Sequence, residues 1–202
     1  MKKLIAGVVL GVGLTAMAHG AGDPEAGEAN AQVCAGCHGQ GGAEPIAPNY
    51  PKLSGLGEKY LHQQLVLIKE QDRMIASMTG LLDSSSDQDL QDLAAYFDSQ
   101  SMPIGQADPD LVDQGKSLYR GGNMASGVPA CSGCHSPNGD GIEAAGYPRL
   151  SGQSAEYVAK QLTAYRDGER DAGSNASIMM DVATKLTDQE IKAVSSYVSG
   201  LN

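Results

Sequence analysis

From Glu58 to Glu70 the chain reads Glu-Lys-Tyr-Leu-His-Gln-Gln-Leu-Val-Leu-Ile-Lys-Glu, with Leu61, Leu65 and Ile68 spaced four and three residues apart. That spacing places all three on one face of a helix. The same period governs Leu90, Leu93 and Phe97, and again Ile191, Val194 and Val198. A start signal precedes each of these last two stripes. In Ser86-x-x-Asp89 and Thr187-x-x-Glu190, a hydroxyl at the N-cap is followed three residues later by an acid. This is the reciprocal pairing of a capping box, the first with the shorter acid. Asp23-Pro24-Glu25 offers another N-cap, with proline at the first helical position and an acid in the first turn. The helix it opens runs toward Cys34. No stretch alternates apolar and polar residues as a half-buried strand would. The pattern predicts an all-α protein.

The pattern also occurs twice. Residues 34–73 align without gaps to 131–170 at an offset of 97. Tyr50-Pro51-Lys52-Leu53-Ser54-Gly55 falls on Tyr147-Pro148-Arg149-Leu150-Ser151-Gly152, and Tyr60, Gln64, Leu65 and Arg73 fall on Tyr157, Gln161, Leu162 and Arg170. The offset then becomes 101, which superposes Ser86-Asp87-Gln88-Asp89 on Thr187-Asp188-Gln189-Glu190 and Tyr96 on Tyr197. Residues 100–109 carry prolines and glycine without apolar periodicity and read as a linker. Two domains are expected, 21–104 and 105–202, behind a leader at 1–20. In that leader, Lys2 and Lys3 precede an apolar run from Leu4 to Ala16 and a small-x-small site at Ala18-His19-Gly20. The run is shorter than the ~20 residues that span a bilayer. It reads as a cleaved signal peptide, and the product is expected to be exported to the periplasm as a soluble chain.

Loss of Lys2 and Lys3 takes the formal charge from −10 to −12. The first half holds 12 acidic and 4 basic side chains, the second 12 and 8. Such a surface excludes nucleic acid as a partner and favours a protein with a basic docking patch.

All four cysteines lie in two pentads, Cys34-Ala-Gly-Cys37-His38 and Cys131-Ser-Gly-Cys134-His135. Disulfides suit an exported chain and four thiolates suit zinc, but neither requires a histidine after each second cysteine. Covalent attachment of haem c does: two thiols bond to the porphyrin, and the adjacent histidine binds the iron. Two covalently attached haem c groups are therefore expected, held by Cys34, Cys37, Cys131 and Cys134, with His38 and His135 as proximal ligands. The chain has no tryptophan and one phenylalanine, so a buried porphyrin would supply much of each small core.

With His38 and His135 used and His19 in the leader, only His62 remains, so methionine is the expected sixth ligand. Met78 lies nine residues before Asp87, and Met179 nine before Asp188. The repeat thus selects Met78 and Met179; Met180, adjacent to the second, is its rival. His62 is expected to face solvent, and Met102 and Met124 to be linker or surface residues. Each proximal histidine needs an acceptor for its other ring N–H, and the carbonyls of Pro51 and Pro148 are the candidates. Leu53 and Leu150 would line the haem faces. Lys52, Arg149, Arg73 and Arg170 could pair with haem propionates.

With its two Cys-x-x-Cys-His domains, a Tyr-Pro-Lys/Arg-Leu-Ser-Gly motif after each, Leu93-Ala-Ala-Tyr-Phe97 and Tyr119-Arg-Gly-Gly122, the chain resembles the dihaem cytochrome c4 family over residues 21–202. The resemblance implies two tandem class I cytochrome c domains related by a pseudo-twofold axis. It further implies haems that face each other with propionates near the interface, and methionine ligands at positions 78 and 179. The implied activity is periplasmic electron transfer from the quinol–cytochrome c oxidoreductase (cytochrome bc1) to a haem-copper terminal oxidase, by a monomer with at most loose membrane association. An alternative is the electron-accepting dihaem subunit of a larger oxidoreductase, such as a sulfide-oxidising flavocytochrome. An enzyme such as a dihaem peroxidase would need an open axial position, which the paired methionines argue against.

Overall fold

The computed structural model describes residues 22–202; the leader, its cleavage site and His19 lie outside them. The first half contains α1 (Pro24–Asn30), the short pentad helix α2 (Ala35–His38), α3 (Glu58–Lys69) and α4 (Asp87–Asp98). The second contains α5 (Val112–Gly121), the pentad helix α6 (Ser132–His135), α7 (Ala155–Arg166), α8 (Ala176–Ala183) and α9 (Asp188–Ser199). Among the described residues, extended pairing is confined to two isolated bridges, Asn123–Val128 and Ile142–Tyr147. The fold is all-α.

The capping chemistry sets where the helices begin. Asp23 Oδ1 accepts from the Glu25 backbone N–H at 2.9 Å. In both capping boxes the N-cap hydroxyl accepts from the third residue's N–H while that residue's acid accepts from the N-cap N–H: Ser86 with Asp89, and Thr187 with Glu190. The apolar stripes then face inward. Leu90, Leu93 and Phe97 pack with Leu56, Leu61 and Leu82 in one core. Ile191, Val194 and Val198 pack with Leu118, Tyr119 and Val158 in the other.

Two features depart from the sequence pattern. Met102, expected in a linker or at the surface, is only 8% exposed and packs in the first core. Polar satisfaction of the surrounding strap explains why it can be buried: the Pro103 carbonyl accepts from Lys52 Nζ at 2.7 Å, and the Gly105 N–H donates to the Ser199 carbonyl at 2.8 Å. The second is α8, which has only a single 3₁₀ turn, Ala76–Met78, as its counterpart. Gly80 lies at φ +81° and ends that turn; at the offset of 101 its equivalent is Asp181, which continues the helix.

Within each half the N-terminal helix crosses the C-terminal one at a glycine. A Cβ on Gly27 would lie 2.0 Å from the Asp92 carbonyl oxygen. One on Gly115 would lie 2.3 Å from that of Ala193 and 2.5 Å from Tyr197 Cβ. These neighbours are backbone and helix-anchored atoms that cannot swing aside. Gly115→Ala is expected to push α5 off α9 and lower unfolding stability by about 1–3 kcal/mol, the usual cost of overpacking. Gly121→Ala, with open space at its Cβ, should be near neutral. Denaturant titration of both variants makes the comparison.

Candidate functional site

Each pentad forms one helical turn that sets its two cysteines three residues apart and points the histidine inward. The His38 N–H donates to the Cys34 carbonyl and the His135 N–H to that of Cys131, both at 2.9 Å. The turns end in left-handed backbone, at Gly39 (φ +75°) and Ser136 (φ +68°). Serine is held there by its surroundings: its hydroxyl accepts from the Asp140 N–H and its carbonyl from the Tyr119 hydroxyl.

Both imidazoles are buried. His38 Nδ1 lies 2.9 Å from the Pro51 carbonyl oxygen, and His135 Nδ1 lies 2.9 Å from that of Pro148. A carbonyl only accepts, so each Nδ1 carries the proton and each Nε2 keeps a free lone pair. Burial holds both rings below the ordinary histidine pKa, against the opposing pull of the proline carbonyls. The neutral ring is the form that binds metal. Burial likewise raises the Cys34 thiol and pushes Cys131 up to about 11.

In the second half an apolar cavity of about 200 Å³ is bordered by Cys131, Cys134, His135 and Met179, with Leu56, Tyr60 and Gln64 of the first half completing its lining. Leu150 and Val158 are among its walls, whereas Met180 is not. In the first half Met78 and Cys34 pack against the same core cluster, alongside Leu53 and Leu65. Met74 is 76% exposed and Met124 97% exposed. His62 is half-buried on α3 and pairs with Asp87 at 2.9 Å, away from both pentads. Among the described residues no group of three or more His, Cys, Asp or Glu converges as a metal cage would. A paired thiol, a neutral imidazole and a thioether around an apolar cavity fit a covalently bound haem.

The four basic residues proposed for the propionates are all engaged within the protein. Lys52 Nζ donates to the carbonyls of Pro103 and Gly152, and burial lowers its pKa. Arg149 pairs with Asp140 at 3.3 Å and donates to the Ser151 carbonyl and hydroxyl. Arg73 and Arg170 form a reciprocal clasp between the halves. Arg73 donates to Gln64 at 2.7 Å, and across the junction to Gln161 at 2.9 Å and Tyr157 at 3.2 Å. Arg170 donates to Gln161 at 2.8 Å, and across to Tyr60 at 2.9 Å and Gln64 at 3.0 Å. The Arg170 guanidinium also stacks 4.6 Å over the Tyr165 ring. Although burial opposes it, the two guanidiniums hold the Tyr60 phenol below its ordinary pKa. Neither arginine meets a carboxylate among the described residues. The repeat marks all six clasp residues as matched pairs, but nothing in one copy shows that they reach into the other.

Comparison with known proteins agrees with this geometry. The Cytochrome c family model matches residues 24–101 and 112–202. The chain is 54% identical to cytochrome c4 of Pseudomonas aeruginosa over 202 residues and 51% identical to that of Azotobacter vinelandii over 211, each match covering both chains in full. The crystal structure of reduced recombinant cytochrome c4 from Pseudomonas stutzeri, at 50% identity, superposes with a TM-score of 0.87 over 90% of this chain and 100% of that one. From the two pentads with their carbonyl-held histidines and from these likenesses it follows that the chain belongs to the cytochrome c family, among the cytochrome c4 electron carriers with two covalently attached haem c groups.

Proposed function

We propose that this protein is a periplasmic one-electron shuttle between quinol–cytochrome c oxidoreductase and a haem-copper terminal oxidase, with no substrate chemistry of its own. The observation that carries this reading is the pair of buried histidines held at 2.9 Å by proline carbonyls, with Met179 lining the same cavity as His135 in the second half. Cys34 and Cys37 would hold one haem and Cys131 and Cys134 the other, with His38 and Met78, and His135 and Met179, as the residues that would bind the irons, and the domains would divide at residues 104 and 105. Bound haem supplies a reversible Fe(III)/Fe(II) couple. The chain's own contribution is to fix each imidazole through Pro51 or Pro148, to close the sixth position with a thioether, and to keep water out with Leu53 and Leu150. The clasp brings two positive charges with no acidic partner among the described residues to the junction, a counter-charge that haem propionates would supply.

Two observations support docking to a basic protein. The surface is acidic, and Val33 and Ile46, beside the first pentad, are exposed, giving an apolar edge at which a partner can exclude water. No helix among the described residues is long and apolar enough to cross a membrane.

The test is an optical spectrum of the purified protein, oxidised and reduced, with haem counted per chain, followed by stopped-flow electron transfer to an oxidase. Two haems with a methionine-to-Fe(III) band of two-centre strength are expected, and transfer rates should fall as salt screens the acidic surface. A high-spin centre, or co-purification with a flavin-containing partner, would replace the shuttle by an enzyme or a subunit of a larger oxidoreductase.

A further inference from the structure

The two Tyr-Pro-basic-Leu-Ser-Gly loops face each other at the domain junction, and the residue following each motif differs: Leu56 in the first copy, Gln153 in the second. Gln153 is 3% exposed, and its amide is directed at the first loop. Its Oε1 accepts from the Lys52 backbone N–H at 3.0 Å and from its own neighbour Ser154 N–H at 2.9 Å. Its Nε2 donates to the Lys52 carbonyl at 2.8 Å. The Lys52 N–H belongs to the same peptide unit as the Pro51 carbonyl, the acceptor for His38 Nδ1.

Hydrogen bonds in series polarise one another. An acceptor on the N–H side of the Pro51–Lys52 peptide makes its carbonyl a stronger acceptor, which draws the His38 ring proton and raises the ring's basicity. A more basic axial ligand favours Fe(III). The second loop lacks the equivalent side chain: the Arg149 N–H reaches only the Leu56 carbonyl, at 3.4 Å.

We propose that Gln153, a side chain of the second domain, is a positioning residue for the first haem, gripping the peptide that orients His38 and lowering that haem's potential. The inference rests on His38 as an axial ligand. It makes the first haem's electronics depend on an intact junction, while the matching peptide of the second loop meets the first domain only through the longer 3.4 Å contact of the Arg149 N–H with the Leu56 carbonyl.

The experiment compares wild type with Gln153→Leu in the full haem-loaded chain. Both midpoint potentials are read by spectroelectrochemistry. NMR assigns them to the two haems and follows exchange of the His38 and His135 Nδ1 protons. In Gln153→Leu the first haem's potential should rise and His38 Nδ1–H should exchange faster, with the second potential and His135 unchanged. Equal movement of both potentials, or movement of neither, overturns the proposal. If Gln153→Leu fails to fold, Gln153→Glu keeps an acceptor for the Lys52 N–H, so the first potential should not rise; a rise overturns the proposal. Ser174→Ala removes a different cross-junction bond, Gln63 Nε2 to Ser174 Oγ at 2.8 Å, and should leave both potentials in place. If it mimics Gln153→Leu, the effect is general loosening and the assignment to Gln153 falls. The wild-type spectrum checks the axial ligands separately, so a silent Gln153→Leu in a protein with two methionine-ligated haems refutes the role of Gln153 alone.

Discussion

Met179→Ala is expected to halve the methionine-to-Fe(III) band, turn one of the two haems high-spin or water-ligated, and open it to carbon monoxide when reduced. Its midpoint potential should fall by roughly 0.2 V, since axial ligands spread haem potentials over about 0.8 V and thioether sulfur lies toward the upper end. Met179 borders the second-half cavity that His135 also lines. Met180, one position on, is not part of that lining, so Met180→Ala should leave the spectrum, the potential and carbon monoxide exclusion unchanged. The same contrast holds in the first half. Met78 packs against the core cluster that includes Cys34, and Met74 is exposed, so Met78→Ala should reproduce the phenotype and Met74→Ala should not. The discriminating measurement is the optical titration of all four variants with carbon monoxide. A Met180→Ala protein that loses the band while Met179→Ala keeps it would reverse the ligand assignment.

How much of this was legible in the sequence depended on whether the cause was local. The capping boxes at Ser86 and Thr187, and the stripes through Leu90, Leu93 and Phe97 and through Ile191, Val194 and Val198, are local patterns, and the structure buries each stripe as its period predicts. The pentads are also local, since a single helical turn suffices to place two thiols and an imidazole. Contacts between the copies were not visible, because periodicity reports burial within one helix face and is blind to a neighbouring domain. Arg73 and Arg170 were expected to pair with propionates, and the sequence did not show that each guanidinium also donates to a glutamine and a tyrosine of the opposite half. Met102 lay in a stretch with no apolar period, and it is buried because the chain folds back there and its flanking carbonyl and N–H find partners. The helix α8 was missed because its eight residues are too short for a stripe to declare itself, while Gly80 had already broken the matching segment in the first copy.

Arg170→Leu is expected to weaken the junction by about 3 kcal/mol, and Arg73→Leu by about 1 kcal/mol. Hydrogen bonds from a charged donor contribute roughly 1.5–3 kcal/mol apiece, but removing Arg170 does not forfeit three of them in full. The oxygens of Gln64 and Gln161 each accept from both arginines, so in either single variant the remaining guanidinium still satisfies both. What Arg170→Leu loses outright is the bond to Tyr60 and the stacking on Tyr165, at a position only 7% exposed. Arg73 is half-buried, and water takes up part of what its loss leaves. The double variant leaves both glutamine oxygens without a charged donor, so its cost should exceed the sum of the singles by on the order of 1 kcal/mol, as expected for residues in one network. Denaturant unfolding of the haem-loaded protein, followed at the haem bands, measures the cycle. A second readout is the shape of the transition: two domains held by the clasp unfold together, whereas in the double variant the two haem environments should melt in separate steps. Strict additivity with a single transition in all three variants would mean that the arginines act independently and that the halves are joined by other contacts, such as Gln153 with Lys52 and Lys59 with Glu143.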